Sequence, residues 1–512
     1  MKNDPVVYDV AIVGYGPAGQ VAAALLGQRG LKVYVCERLT DVYEIPRAIA
    51  LDHEIMRVFQ QIGVVHAIEP YIEPFTNSEY YGVDGQLIRR MTMVAPPYPQ
   101  GYTPSIVFTQ PPVERALRER VAQLSNVKVA LGVEMRELSQ DDEGVTLHID
   151  ANGERHAVRA RYVIACDGGS SGVRTQLDIE MDDLDFDEPW LVVDVRVNEQ
   201  GLAKLPKVSV QYCEPERPCT LVIGPKNHRR WEISILPGED PKEISTPEQT
   251  WKLLSRWLDP QDGELWRQAS YRFHALVAKR WRQGRVFLAG DAAHMQPPFL
   301  GQGMCQGIRD VSNLSWKLAA VLQDEVTGAA AQALLDSYGN ERQAHVRELT
   351  SRIKAVGAVI CERDPVQARQ RDARLLAQCD GVVRDTPRQD ILPALDQGLL
   401  SSTLSSGRGR LFPQPLLADK GGESCRMDLL AGNGWRLVLA PKVSPDRTSF
   451  GCISPVSLEE GDDSEGIAID WFCRHECCAA LVRPDNYVYG VARSEGDLIQ
   501  LCEEALEALG MS

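Results

Sequence analysis

Val10-Ala11-Ile12-Val13-Gly14-Tyr15-Gly16-Pro17-Ala18-Gly19 is the stretch on which the fold turns. Val6, Val7 and Val10 to Val13 form a short, mostly β-branched apolar run, the pattern of a strand buried on both faces of a parallel sheet. The glycines follow at once. From about Pro17 to Gln28 the chain is rich in Ala and Leu, as a packed helix is, and Gly30 stands where such a helix ends. Leu31 to Cys36 reads as a second strand closing on Glu37 and Arg38. Together these make a βαβ unit. Gly14 permits the tight turn, Gly16 admits a pyrophosphate to the backbone, and Gly19 lets helix and strand pack closely. The helix N-terminus offers N–H groups and positive dipole to the phosphates. Glu37, 23 positions after Gly14, is placed to accept from an adenosine ribose hydroxyl. This much suits NAD and FAD alike.

Two further apolar runs separate those cofactors. Tyr162 to Ala165 leads into Cys166-Asp167-Gly168-Gly169, and Arg285 to Ala289 leads into Gly290-Asp291. Each delivers an acid to the carboxyl edge of a sheet, where open α/β sheets bind ligands. One such acid suits a ribityl chain, and amides of the following helix suit phosphate and flavin, so the three motifs in this order read as an FAD site. Gly301-Gln302-Gly303-Met304 opens a helix whose free N–H groups face the flavin edge that gains negative charge on reduction. Between about 186 and 273 the chain alternates like antiparallel strands, as in Leu191 to Val197 and Trp231 to Leu236. A helical region is expected from Gly303 to about Gln397, then a small-residue linker at Leu400 to Gly409. Beyond it lie strand signals at Trp435 to Leu439, two strands joined by a turn within Leu481 to Gly490, and a last helix capped by Ser494 with Asp497.

Composition narrows the function. The 512 residues allow two to four domains at roughly 100–200 residues each. Acidic residues outnumber basic ones by 71 to 55, a net charge of −16 that repels phosphate backbones and anionic lipid. Neither nucleic acid nor membrane is an expected partner. Met1 to Asp4 lead straight into the first strand without the pattern of a secretory leader, and thirteen scattered cysteines suit reduced thiols, so a cytoplasmic location is expected. Cys473, His475 and Cys477 lack a second ligand cluster, and no metal is expected.

The three nucleotide motifs, with the continuations Ser170-Ser171-Gly172-Val173-Arg174 and Ala292-Ala293-His294, resemble those of the group A flavoprotein aromatic hydroxylases. Pro46 to Asp52, Arg230-Trp231-Glu232 through Leu236-Pro237-Gly238-Glu239, and Gly301 to Asp310 are similar to the 3-(3-hydroxyphenyl)propionate hydroxylase branch. The resemblance implies an α/β chain. It would have a Rossmann-like FAD-binding fold over 1–185 and 274–400, and an inserted, mainly antiparallel substrate sheet over 186–273 with contributions from about 75–105. A thioredoxin-like domain would occupy 410–512, with Arg483-Pro484-Asp485 as its turn. It implies hydroxylation of a phenolic compound, such as a hydroxyphenyl-alkanoic acid, ortho to its hydroxyl through a C4a-hydroperoxyflavin, with NAD(P)H and O2 as co-substrates. A homodimer is expected.

Carried over residue by residue, Gly14, Gly16, Gly19, Glu37 and Arg38 would hold the adenosine end, and Arg47 the pyrophosphate or flavin edge and the nicotinamide. Gln110 would contact the flavin, Asp167 and Asp291 the ribityl region, and Gly301, Gly303 and Met304 the isoalloxazine. Pro298, or Pro297 beside it, would lie over the reactive face. Cys305 stands where the wider family commonly has asparagine. His294 would polarise a phenol or, as the favoured reading, bond structurally near the dinucleotide. His53, His274, Trp190 and Tyr212 read as ordinary core or surface residues. The competing functions are a flavin dehydrogenase, a halogenase, which the missing Trp-x-Trp-x-Ile segment disfavours, and a flavin-binding redox scaffold. The domain lacks a Cys-x-x-Cys pair, since Cys473 and Cys477 are four apart on one expected helical face, so it reads as structural or as a subunit interface. If the domain serves only assembly, catalysis is expected to survive, in outline, the loss of residues beyond Ser406.

Overall fold

The structure is a computed structural model that describes residues 7–418, 422–443, 450–459 and 461–511; Met1 to Val6 lie outside the described residues. The strand Val7–Val13 pairs in parallel with Val33–Glu37 on one side and Glu154–Ala165 on the other. The sheet extends in parallel to Val127–Leu131 beyond the first neighbour and to Val286–Leu288 beyond the second. Val10 to Val13 are buried because helix Pro17–Gln28 and the later helix Gly303–Leu322 cover one side of this sheet's centre. The three strands that end in glycine motifs are therefore neighbours, and their carboxyl tips share one edge.

A second, nine-stranded sheet stands against that edge. Its long central strands are Met181–Val197, His228–Ser234 and Gly263–Ala278, joined antiparallel. It reaches past 186–273 at both ends, to His294–Met295 on one side and to Ser78–Tyr81, Leu87–Thr92 and Arg384–Pro387 on the other. Arg384–Pro387 corrects the expected helix to Gln397: the last long helix there is Pro365–Ala377. Pro387 lacks an N–H and suits an edge strand far better than a helix interior. Along His228–Ser234 the residues alternate, with Trp231 and Ile233 packing into a core with Trp257 while Arg230 and Glu232 face the other way.

The C-terminal segment forms a four-stranded sheet in the order Ile453–Ser457, Trp435–Leu439, Ala479–Val482, Val488–Ala492, the first pair parallel and the others antiparallel. Helices Ile467–His475 and Glu495–Ala508 accompany it. Cys473 and Cys477 do not share a helical face, because the helix ends at His475 and Glu476 is left-handed. Among the described residues no cluster of side chains has the makings of a metal site. Nor is Leu400 to Gly409 a slack linker. Ser401 N–H donates to the Tyr489 carbonyl at 2.9 Å and Gly409 N–H to Val488 at 2.8 Å, so the small residues lie along the edge strand. The domain is bound to the rest by buried charge. Arg483 forks onto Glu341 and Asp485, and Arg57 onto Asp428. No helix of the described residues is long and apolar enough to cross a membrane.

Candidate active site

Gly14 sits at φ +97° and its N–H donates to the Cys36 carbonyl at 2.8 Å, so the turn is stitched to the second strand in a backbone region that side chains rarely adopt. A Cβ on Gly19 would collide with the Gly14 carbonyl oxygen, the close helix–strand approach that the fingerprint spacing predicts. A Cβ on Gly16 would meet nothing within 4 Å: the space before the helix is open. Gly16 is also the helix N-cap, and no side chain caps the first turn. Glu37 accepts from Tyr15 N–H at 2.7 Å and Leu39 N–H at 2.8 Å, which holds its carboxylate at the tip of the second strand. Arg38 is exposed beside it.

The other two tips are tied together by Arg174, whose guanidinium donates to the carbonyls of Ala292 and Gly169 at 2.9 and 2.8 Å. Asp167 turns toward its own helix and accepts from Val173 N–H at 3.1 Å; burial raises its pKa, against the hydrogen bonds it accepts. Its neighbours Cys166 and Gly168, rather than its carboxyl, line the cavity described below. Asp291 is exposed to that cavity and accepts no hydrogen bond from any described residue. Burial raises its pKa, with His294 and Arg47 opposing. Behind it Asp310 receives Gly290 N–H at 2.9 Å, faces His294 Nε2 at 2.7 Å and pairs with Arg342 at 2.9 Å. His294 is buried and stacked on Trp281 at 5.3 Å. Its bonded nitrogen is committed to Asp310, an arrangement that suits positioning the Gly290-Asp291 turn better than acting on a phenol.

One cavity of about 440 Å³ runs from Gly16 and Pro17 past Asp291, Gly303 and Met304 to the floor of the nine-stranded sheet. Gly303 is the first residue of its helix, and Gln302, the N-cap, makes no side-chain cap, so the amides of the first turn are free toward the cavity. Gly301 and Pro298 line the cavity, whereas Pro297 is buried away from it. Cys305 is buried too, its thiol directed at the Ala50 carbonyl at 3.8 Å, so this position faces the core whatever side chain it carries. Gln110 lines the cavity, but its amide is spent on the scaffold. Its oxygen accepts from Arg47 and Ala48 N–H at 2.7 and 2.6 Å, and its nitrogen donates to Glu114 at 2.7 Å. It therefore shapes the Arg47 loop. Arg47 itself forms no ion pair among the described residues and extends over Tyr43 at the cavity wall. Trp190 packs on Phe273 and Phe299, Tyr212 packs on Trp257, and neither lines the cavity.

Sequence reasoning overlooked the charged floor. Asp194 is fully buried, and although burial opposes its ionisation, Arg230 and His228 hold it at about 2. Arg230 clasps Asp194 at 2.7 and 3.0 Å and donates to the Arg47 carbonyl at 2.8 Å; Arg267 donates to the Pro46 carbonyl at 2.5 Å. Those two arginines are thus committed. Glu232 is not: no hydrogen bond or ion pair from a described residue engages its carboxyl, and burial raises its pKa to about 7 despite Arg230. Arg388, delivered just after the edge strand, donates to the Leu300 carbonyl at 2.7 Å and lies over the face of Phe75, pairs with no carboxylate among the described residues, and has its pKa lowered by burial. The signal available in the sequence was the alternation Arg230-Trp231-Glu232-Ile233, with charge on one face of a central strand.

The raised Glu232 carboxyl has a testable consequence. Its proton is held more tightly in the folded chain than on an ordinary glutamate, which titrates at 4.5, so the folded state is favoured below pH 4.5 and loses that advantage as pH rises to about 7. Glu232→Gln is therefore expected to be more stable than the parent chain above pH 7, by on the order of 3 kcal/mol, with the gap closing toward pH 4.5. Urea unfolding at several pH values measures it; a pH-independent difference would contradict the assignment.

A family model described as an FAD binding domain matches residues 7–353. The chain is 37% identical to the probable NADH-specific resorcinol 4-hydroxylase of Rhodococcus jostii (strain RHA1), over 98% of this chain and 95% of that one. It is 32% identical to the 3-(3-hydroxy-phenyl)propionate/3-hydroxycinnamic acid hydroxylase of Burkholderia cenocepacia (strain HI2424), over 94% and 93%. Among solved structures, the flavin-dependent monooxygenase PieE, in complex with FAD and substrate, superposes with a TM-score of 0.82 at 22% identity, over 99% of this chain and all of that one. Aklavinone-11 hydroxylase with FAD and aklavinone gives 0.79 at 23%, with coverage of 99% and 100%. The fold is shared along essentially the whole chain, and the sequence match is of family strength over the same length: this protein belongs to the FAD-dependent aromatic hydroxylases.

Proposed function

We propose that the protein hydroxylates a phenolic ring ortho to its hydroxyl, using NADH and O2, with FAD held between the three strand tips and the substrate on the floor of the nine-stranded sheet. The observation that carries this reading is the continuity of the cavity: open fingerprint backbone at Gly16 and sheet side chains such as Glu232 line the same space. The residues suit the dinucleotide. Gly16, Gly303 and Met304 offer uncapped helix termini, and the Asp291 carboxyl, raised by burial and without a protein donor, suits a ribityl hydroxyl. Glu37 would take the ribose and Arg47 the negative edge. When bound and reduced, FAD supplies an electrophilic oxygen atom derived from O2. The chain's own part is to keep water out with Val192, Val222, Phe75 and Phe273 and to hold the ring beside Pro298. The C-terminal segment reads as thioredoxin-like on its strand order and its single parallel pair, and without a redox cysteine pair its role is structural.

Arg388 points to a hydroxyphenyl-alkanoic acid, since a cation in the cavity without a carboxylate partner among the described residues suits the acid chain. A neutral dihydroxybenzene is the second reading, favoured by the 37% identity to a resorcinol hydroxylase. Purified FAD-loaded protein is expected to oxidise NADH slowly alone and faster with a phenol, consuming O2 and releasing a hydroxylated product. If no phenol yields product, the reading is wrong. Arg388→Met is expected to raise KM for 3-(3-hydroxyphenyl)propionate about 10- to 100-fold and leave KM for resorcinol nearly unchanged. Equal effects on both would remove Arg388 as the acid's anchor.

A further inference from the structure

We infer that Glu232 is the catalytic residue that takes the proton of the substrate's phenolic hydroxyl, an assignment that rests on the phenol-hydroxylation reading above. Glu232 lies in register between Val192 on one neighbouring strand and Thr220 on the other, so its carboxyl rises from the middle of the sheet into the cavity. It is 7% exposed, and what exposure it has opens onto that cavity. The polar groups beside it on the sheet are engaged. Thr220 donates to Gln211 at 2.5 Å, and Arg230 and Arg267 are held by Asp194 and the carbonyls of Pro46 and Arg47. An unpartnered carboxyl in so tightly satisfied a floor is costly unless a ligand's hydroxyl meets it.

Arg230 on its own strand, Asp194 on the neighbouring strand and Arg267 on the strand beyond act electrostatically on Glu232, and Arg47, Arg272, Arg388, Tyr271, His274, His294 and Asp291 line the same cavity. Their sum is cationic, which favours a phenolate in the cavity. The step balances simply. The phenol O–H bond breaks with its electron pair left on oxygen, and the proton forms an O–H bond to a Glu232 carboxyl oxygen. No electron leaves the pair. The oxygen's added charge enriches the ortho carbon that receives the new oxygen atom. The carboxyl's raised pKa, about 7, brings it nearer to a phenol than an ordinary carboxylate is.

The test uses FAD-loaded parent, Glu232→Gln and Glu232→Asp proteins with 4-nitrophenol as a probe whose anion absorbs in the visible. The charge of the Glu232 carboxylate opposes a second anion beside it, so in the parent the bound probe is expected to ionise at a higher pH than in Glu232→Gln, by about one pH unit or more. Hydroxylation in Glu232→Gln is expected to fall about 10²- to 10⁴-fold in kcat with KM little changed, and to lose the pH limb near neutrality. Glu232→Asp should restore part of the rate with that limb displaced. Equal probe ionisation in the parent and Glu232→Gln, or an unchanged pH profile, overturns the role of Glu232 and leaves phenol hydroxylation standing. Failure of all three proteins to bind the probe overturns the phenol reading and the base together.

Discussion

Replacing Arg483 with methionine is expected to lower the free energy of unfolding by about 3–5 kcal/mol, among the largest effects of any single substitution in this chain. Arg483 is fully buried, bonded to Glu341 at 3.0 and 2.7 Å, to Asp485 at 3.0 and 2.6 Å, and to the Leu399 carbonyl at 2.9 Å. Lys317, also buried, contributes a second cation at 2.8 Å from Glu341. Burial works against the Glu341 carboxylate, yet Arg483 and Lys317 hold it at about 2. The cluster balances two cations against two anions, and removing Arg483 leaves an uncompensated negative charge away from water. Arg483→Met combined with Asp485→Leu restores the balance and should recover most of the loss. Denaturant unfolding of FAD-saturated protein measures both; a single variant within 1 kcal/mol of the parent, on the order of an exposed pair, would show that the cluster is not sealed.

The same cluster changes what truncation should do. Cutting the chain after Ser406 removes Asp428, Arg483, Asp485 and Tyr487 together, stripping partners from Arg57, Glu341 and Glu54 and baring Trp316, which packs on Trp435 at 5.9 Å. Tyr487 is also linked to the cavity wall, since it donates to Glu54 at 2.9 Å, Glu54 pairs with Arg309 at 2.5 Å, and Arg309 donates to Gln302, the N-cap before Gly303, at 2.9 Å. Aggregated protein is the expected product of that truncation, rather than a catalyst weakened only in assembly.

Gly19→Ala is expected to yield protein that purifies with little or no flavin, its affinity for FAD reduced by about 100-fold or more, equivalent to roughly 3 kcal/mol. The new methyl would collide with the Gly14 carbonyl oxygen, a backbone atom in a turn already held by Cys36 and crowded by the Cys166 carbonyl. The helix must move outward, carrying its free N–H groups away from the phosphates they would meet. Absorbance of the purified protein and FAD titration read the result directly. Gly16→Ala is the informative contrast, because its Cβ has open space and would trespass only on the ligand. Normal flavin content in Gly19→Ala would mean that the fingerprint helix does not carry the dinucleotide.

The first βαβ unit was legible because its signals are local. Val10 to Val13 are apolar and β-branched, and the glycine spacing is set by backbone collisions within a few residues. Asp291 was legible for the same reason, as a residue at a strand tip. Asp167 and Gln110 show the limit: residue type placed each beside the cavity, but one Asp167 carboxyl oxygen is taken by Val173 N–H and the Gln110 oxygen by Arg47 and Ala48 N–H. Where an oxygen points depends on which amides the rest of the fold brings near, and those come from positions up to 63 residues away.

From its amino-acid order alone this protein was committed to a parallel nucleotide-binding sheet, to three acid- or glycine-bearing strand ends, and to a carboxyl-terminal unit with strands of its own. Short-range sterics and side-chain periodicity are enough for that. Only the tertiary structure decided that Arg384–Pro387 closes the far edge of the nine-stranded sheet and delivers Arg388, that Glu232 faces the cavity without a partner among the described residues, and that Arg483 locks the last domain to Glu341. Each depends on charges and hydrogen-bonding groups that are distant along the chain and become neighbours through packing. Whether a buried charge is paired or left free for chemistry is a property of that packing, and no local pattern contains it.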